Sequence, residues 1–360
     1  MGFTANGKGY ICGGYNSNGL DDLWEYDKVN DTWTQKAIFP GGGTWAGSSF
    51  SINNKGYIVL GTGGFSYSNN LYEYDPIVNT WTTKAPFPGL GRQDGHCFSI
   101  GDDGYIVGGW RSSNYLSDVY KWNSLNNTWT LVAPFPGGGR DGLRGFEIDG
   151  IAYVGAGQAS GSQYNDFYAY NPPTNTWTPI ASFPGINRNS ATGFTIGSKG
   201  YYGFGYDNSN GYYSDIYEYD AALNNWTQIP SFSTAARAYA VSFSLGTSGY
   251  IGTGQVLGAN KVKTFWELNV IESVGLDENQ ISNIQTNYNR ENQTITIKSE
   301  VTIDNATVTL FGISGQKLKE VNLTIDNNSS IEFPNATASM ILFSISQNNK
   351  PISTGKLMIK

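Results

Sequence analysis

Tyr105-Ile106-Val107-Gly108-Gly109, followed by Trp122 and then by Trp129-Thr130, is the stretch that decides the fold. An apolar, β-prone run closed by a glycine pair reads as a short strand ending in a tight turn. The same pattern recurs on both sides. Trp33, Trp81, Trp129, Trp177 and Trp226 stand 48, 48, 48 and 49 residues apart, and Thr follows each. An aromatic precedes each by seven residues: Tyr26, Tyr74, Trp122, Tyr170 and Tyr219. Earlier in each unit comes an aromatic-glycine segment, such as Tyr10-Ile11-Cys12-Gly13-Gly14 or Tyr201-Tyr202-Gly203-Phe204-Gly205. Phe-Pro-Gly separates the units at Phe39, Phe87, Phe135 and Phe183. A period of this length marks a ring or solenoid of small units that bury their faces against one another.

Each unit reads as four strands. In the second unit they are a strand ending at Phe50-Ser51-Ile52, the Gly-Tyr-Ile strand, Leu71–Asp75, and Asn79-Thr80-Trp81-Thr82. These features resemble the kelch repeat over residues 1–270. The resemblance implies an all-β, six-bladed kelch-type β-propeller, one repeat per blade. The sixth blade runs from Arg237 through Gly249-Tyr250-Ile251-Gly252 to Phe265-Trp266-Glu267-Leu268, with no Trp-Thr strand after it. Gly2-Phe3-Thr4 aligns with Gly193-Phe194-Thr195, so the chain is expected to begin inside a strand. A segment before Met1 is then expected to complete blade six. The repeated Trp and Tyr residues are read as blade packing.

Residues 271–283 read as a linker. Beyond them glycine and aromatics give way to Ile, Asn, Thr and Lys, with alternation in Thr294–Ile297, Val308–Phe311 and Ile341–Ile345. About seven strands are expected in a small β-sandwich over residues 284–360. Val308–Leu318 and Thr354–Lys360 resemble the C-terminal sorting domain of bacterial type IX secretion cargo. The Pro-Asn-Pro opening of that family is absent near Asn287, and Ser339-Met340-Ile341 replaces its Gly-x-Tyr. The resemblance implies the type IX machinery as a partner, with the protein secreted or held on the bacterial outer surface.

A net charge of −7 and pI near 4.8 exclude a nucleic-acid footprint. No run of about 20 apolar residues suggests a membrane helix. Cys12 and Cys97 fall in different blades and read as buried fillers. One histidine, His96, cannot build a zinc site with them, so no metal or cofactor is expected. Copper-radical oxidases built on kelch propellers need a second His that this chain lacks. No nucleophile elbow surrounds His96, and the glycines are turn glycines rather than a phosphate loop.

Arg92, Arg140, Arg188 and Arg237 each stand six residues before the Phe of an inner strand, with Thr44 in that place in blade two. They are expected to crowd the channel mouth, bound either to neighbouring loops or to an anionic ligand. Loops on the same face carry Tyr15, Phe65, Trp110 and Tyr206 amid asparagines. Aromatic faces beside amides suit sugar rings or a protein surface. The sequence therefore points to a secreted or surface-held propeller that binds a glycan or a protein partner through these residues. The alternative is an enzyme of the sialic-acid mutarotase type, a sugar epimerase or isomerase. The arginines would then hold a carboxylate, and Asp94, His96, Asp141 or Glu147 would move protons.

Overall fold

The computed structural model describes residues 1–63, 66–209, 211–229, 236–269, 284–289, 292–299, 302–312, 316–327, 329–333, 340–347 and 350–358. The chain divides into two compact units, Met1–Leu268 and Asn269–Lys360. Every regular element among the described residues is a β-strand.

The first unit is the propeller. Blade three shows the plan, with antiparallel strands His96–Ile100, Asp103–Arg111, Asn114–Asn123 and Thr128–Val132 from inside to outside. Blades one, two, four and five repeat it, and blade two adds the short strand Ser66–Tyr67. Blade six has three strands among the described residues: Val241–Leu245, Ser248–Gly252 and Phe265–Asn269. Residues 270–283, which contain the linker expected over 271–283, lie outside the described residues. The inner strands Gly2–Ala5, Trp45–Ile52, His96–Ile100, Arg144–Ile148, Thr192–Ile196 and Val241–Leu245 stand side by side in chain order, and the last packs against the first.

Two devices join blades. At the inner end of five of the six junctions, the Phe of one inner strand lies over a glycine in the next blade's second strand, and blade four has Ala152 in that place. A Cβ on Gly9 would come within 2.2 Å of the Phe243 ring, and one on Gly56 within 2.0 Å of Phe3. The Phe243–Gly9 contact closes the ring. At the outer end, Asn79, Asn127, Asn175 and Asn224 take left-handed φ values of 48–56° in the turn before the outer strand. Asn is among the few side chains that accept this conformation readily. Each Oδ1 accepts from the third-strand aromatic of its own blade, as Trp122 Nε1 donates to Asn127 at 3.1 Å. It also accepts from the preceding blade, as Ala85 N donates to Asn127 at 2.9 Å. Trp129 Nε1 returns the bond to the Ala85 carbonyl at 2.9 Å. Its ring meets Phe87 edge-on with centroids 5.3 Å apart. The repeated Trp is thus a clamp between blades.

The second unit is a β-sandwich. Gln285–Asn289, Thr294–Lys298 and Ser329–Glu332 form one sheet. Lys317–Ile325, Ile303–Phe311, Met340–Gln347 and Lys350–Met358 form the other. Alternation puts Ile295, Ile297, Val308, Leu310, Ile341, Phe343 and Ile345 into one apolar core.

Candidate binding site at the channel mouth

Five consecutive loops that lead into inner strands each place one residue in the left-handed region. These are Ala46 at φ 54°, Asp94 at 54°, Gly142 at 64°, Ser190 at 50° and Tyr239 at 58°. Their backbones form a chain around the mouth. Asp94 N donates to the Ala46 carbonyl at 2.8 Å, and Gly142 N to Asp94 O at 3.0 Å. Ser190 N donates to Gly142 O at 3.1 Å, and Tyr239 N to Ser190 O at 3.0 Å. Ala and Tyr gain nothing locally from this conformation, so the surroundings hold it, as they often do at functional rims. The preceding residue of each loop is tied to the exit of the second strand by two backbone bonds. The pairs are Gln93 with Trp110, Asp141 with Gln158, and Asn189 with Tyr206.

The four periodic arginines do not line this mouth as ligand-binding forks. Arg92, Arg140, Arg188 and Arg237 are at most 2% exposed. Arg92 forks onto Asp118, with Nη2–Oδ2 at 2.8 Å, and donates to the Gly108 and Leu90 carbonyls. Arg140 forks onto Asp166, and Arg188 onto Asp215 at 2.5 and 2.9 Å. Arg237 donates to the Thr253 carbonyl and Thr264 hydroxyl and lies 4.2 Å from the Trp266 ring. Phe87, Phe135 and Phe183 lie beneath the first three guanidinium groups. Of the two roles the sequence left open, the structure gives them the structural one, but the bonds run to each arginine's own loop and blade rather than to the loops of a neighbouring blade. A buried guanidinium needs a carboxylate and carbonyls, and the same blade supplies both.

The mouth has a different cation. Arg144 opens the inner strand of blade four and takes the register position that His96 holds in blade three. Its Nη1 donates to the Leu143 carbonyl at 2.6 Å, and no carboxylate lies within ion-pair distance among the described residues. Its charge acts on Asp94, His96 and Asp141. Burial raises the Asp94 carboxyl above its ordinary value, Arg144 opposing. Burial and then the charge of Asp94 raise Asp141 to about 6. Burial and Arg144 lower His96 to about 3, so its imidazole is neutral at physiological pH. Asp141 Oδ1 and His96 Nε2 are buried and bond to no described residue. Glu147 sits at the far end of the same strand, accepting from Gly150 N at 2.5 Å, and does not join this cluster.

The expected aromatics are divided. Tyr206 meets Tyr239 with hydroxyls 3.0 Å apart and centroids 5.6 Å apart, beside the mouth. Trp110 borders it through the bridge to Gln93. Tyr15 packs on Trp45 at 5.0 Å and lies 5.5 Å from Lys261 Nζ, in the blade six to blade one sector. Phe65 lies outside the described residues. The sequence reading missed Arg144, Gln158, Asn189, Ser190 and Tyr239. Its available signal was a break in periodicity, since Met1, Ser48, His96, Arg144, Thr192 and Val241 share one register position and no chemistry.

Six radial sheets with glycine-closed second strands and Trp clamps define a kelch-type β-propeller. The kelch motif matches residues 4–40, 97–136 and 147–184. Among solved structures, "Structure of YjhT" is similar with a TM-score of 0.66 and 17% identity, covering 76% of this chain and 95% of that one. At that identity the likeness is one of fold. No curated protein matches the sequence.

Proposed function

We propose that this protein is a binding propeller that recognises a carboxylated glycan at the channel mouth, with Arg144 as the seat of the carboxylate. The observation that supports it is a guanidinium with no carboxylate partner among the described residues, whose charge acts on Asp141 and His96, buried groups with an atom that bonds to no described residue. A carboxylate satisfies such a fork bidentately. Gln158 and Asn189, bonded to each other, and Tyr206 and Tyr239, whose hydroxyls meet, bring amides and phenols suited to hydroxyls and a ring face to the same rim. A glycan array probed with the wild type and with Arg144→Gln tests this. Acidic glycans should bind the wild type and be lost in the variant. Equal retention of both proteins, or capture of neutral glycans alone, contradicts it.

The Asp141 carboxyl favours a second reading, a sugar mutarotase. A group titrating near 6 holds and releases protons at neutral pH. Anomer exchange of a carboxylated sugar, followed by NMR, separates the readings. Exchange that Asp141→Asn abolishes favours the enzyme, and binding without exchange favours the receptor.

The sandwich of the second unit supports export as type IX cargo and a secreted or outer-surface location. Deleting it should abolish export in a host with that machinery. Normal export of the shortened chain would contradict the sorting role.

A further inference from the structure

Blade two contains a cavity of about 590 Å³ in the compartment that its neighbours fill with arginine. Register fixes the correspondence. Thr44 stands where Arg92, Arg140 and Arg188 stand, and Asn70 where Asp118, Asp166 and Asp215 stand. Phe39 keeps the place of Phe87, Phe135 and Phe183, and Leu60 that of Gly108, whose carbonyl accepts from Arg92. Ser68 replaces Tyr164 and Tyr213, whose rings cover Arg140 and Arg188 at 3.8 and 4.2 Å. Cation, carboxylate and aromatic cover are therefore missing together, and a walled space remains.

We propose that this space is a binding site for an uncharged sugar residue. Among the described residues its lining carries no charged side chain. A buried cation without a carboxylate is costly, which argues against a guanidinium guest despite the ancestry of the compartment. The lining combines ring surface from Phe39 and Tyr72, with centroids 5.0 Å apart, and polar groups from Thr44, Ser68 and Asn70. The Asn70 side chain is exposed and oriented by a 3.0 Å bond from Nδ2 to the Tyr72 hydroxyl, which leaves its oxygen to accept. Rings with amides and hydroxyls suit a pyranose, and the volume lies within the range of small-ligand pockets. The site shares no residue with the Arg144 cluster and does not depend on the reading given to it.

Ligand-observed NMR titrations of neutral monosaccharides and of arginine amide test the proposal, with the wild type and with Thr44→Arg/Asn70→Asp. The double variant restores the pair that three sister blades already fold with. A neutral sugar should bind the wild type in the millimolar range and lose at least about tenfold in the variant. The unfolding midpoint of the variant should be unchanged or raised, which shows the compartment filled rather than broken. No neutral sugar binding to the wild type, equal binding to both proteins, or arginine amide as the sole ligand would each overturn it. If the variant fails to fold, Ser68→Tyr, which restores the cover alone, replaces it with the same outcomes.

Discussion

Burial and the neighbouring Asp94 charge raise the Asp141 carboxyl from its ordinary 3.8 to about 6. The folded protein therefore keeps a proton that the unfolded chain releases between these values. Its ionisation costs nothing below about pH 4, grows across that window, and is complete above about pH 6. Two units correspond to about 3 kcal/mol. Asp141→Asn should raise stability by about 1–3 kcal/mol at pH 7 and by nothing at pH 3.5, read from urea unfolding at both values. A residue kept at such a cost fits a site role rather than a packing role. Arg188 shows the opposite pattern. It is fully buried with its guanidinium bonded to Asp215 and two carbonyls. Arg188→Ala should lose about 2–4 kcal/mol, through stranded acceptors and lost packing. A loss below about 0.5 kcal/mol would contradict the structural role.

At the scale of strands and turns, the repeat spacing carries the fold because the same contacts recur at every period. Trp129, Asn127 and Phe87 are legible as a set, since each must meet its counterpart one blade away. Asn127→Ala should cost about 2 kcal/mol, combining a strained turn with two lost acceptor bonds. Asn127→Gly restores the turn without the bonds and should fall between. Equal stability of the Gly variant and wild type would remove the clamp from the account. For the site the same periodicity is ambiguous. Four arginines in register fit either structural bonds or a ring of ligand forks, and nothing in the period marks Asp118, Asp166 and Asp215, 26 or 27 residues later, as their partners. Arg144 was missed because it belongs to no series. Periodic residues here hold the scaffold, and the mouth's polar atoms that bond to no described residue, Asp141 Oδ1 and His96 Nε2, lie beside a departure from the period at Arg144.

Across the whole propeller, the seam between blades six and one differs from the others. Elsewhere an outer-strand Trp bonds to an Ala carbonyl in the preceding blade, as Trp81 does to Ala37 at 3.0 Å. At the seam Trp33 packs edge-on against Phe265 at 5.1 Å, and Lys28 reaches the Leu245 carbonyl at 3.0 Å. The Phe243–Gly9 contact closes it together with the Tyr26–Tyr250 and Tyr26–Phe265 ring contacts. Gly9→Ala should lower the unfolding midpoint by several degrees, corresponding to about 1–3 kcal/mol of overpacking. Hydrogen exchange should proceed faster in Val241–Leu245 than in Arg144–Ile148. Uniform protection around the ring would contradict a weak seam.

As proposed, Arg144 at the mouth seats the carboxylate of a sugar, on a scaffold held by the buried arginines. Calorimetric titration of N-acetylneuraminic acid against wild type, Arg144→Ala and Arg188→Ala, near pH 5 and pH 7.5, tests it most directly. Arg144→Ala should lose at least about tenfold in affinity at an unchanged unfolding midpoint. Arg188→Ala should lose stability while keeping its affinity per folded molecule. Wild-type binding should tighten toward pH 5, because protonation of Asp141 removes a negative charge beside the anion. Undiminished binding by Arg144→Ala, or tighter binding at pH 7.5 than at pH 5, would contradict the account.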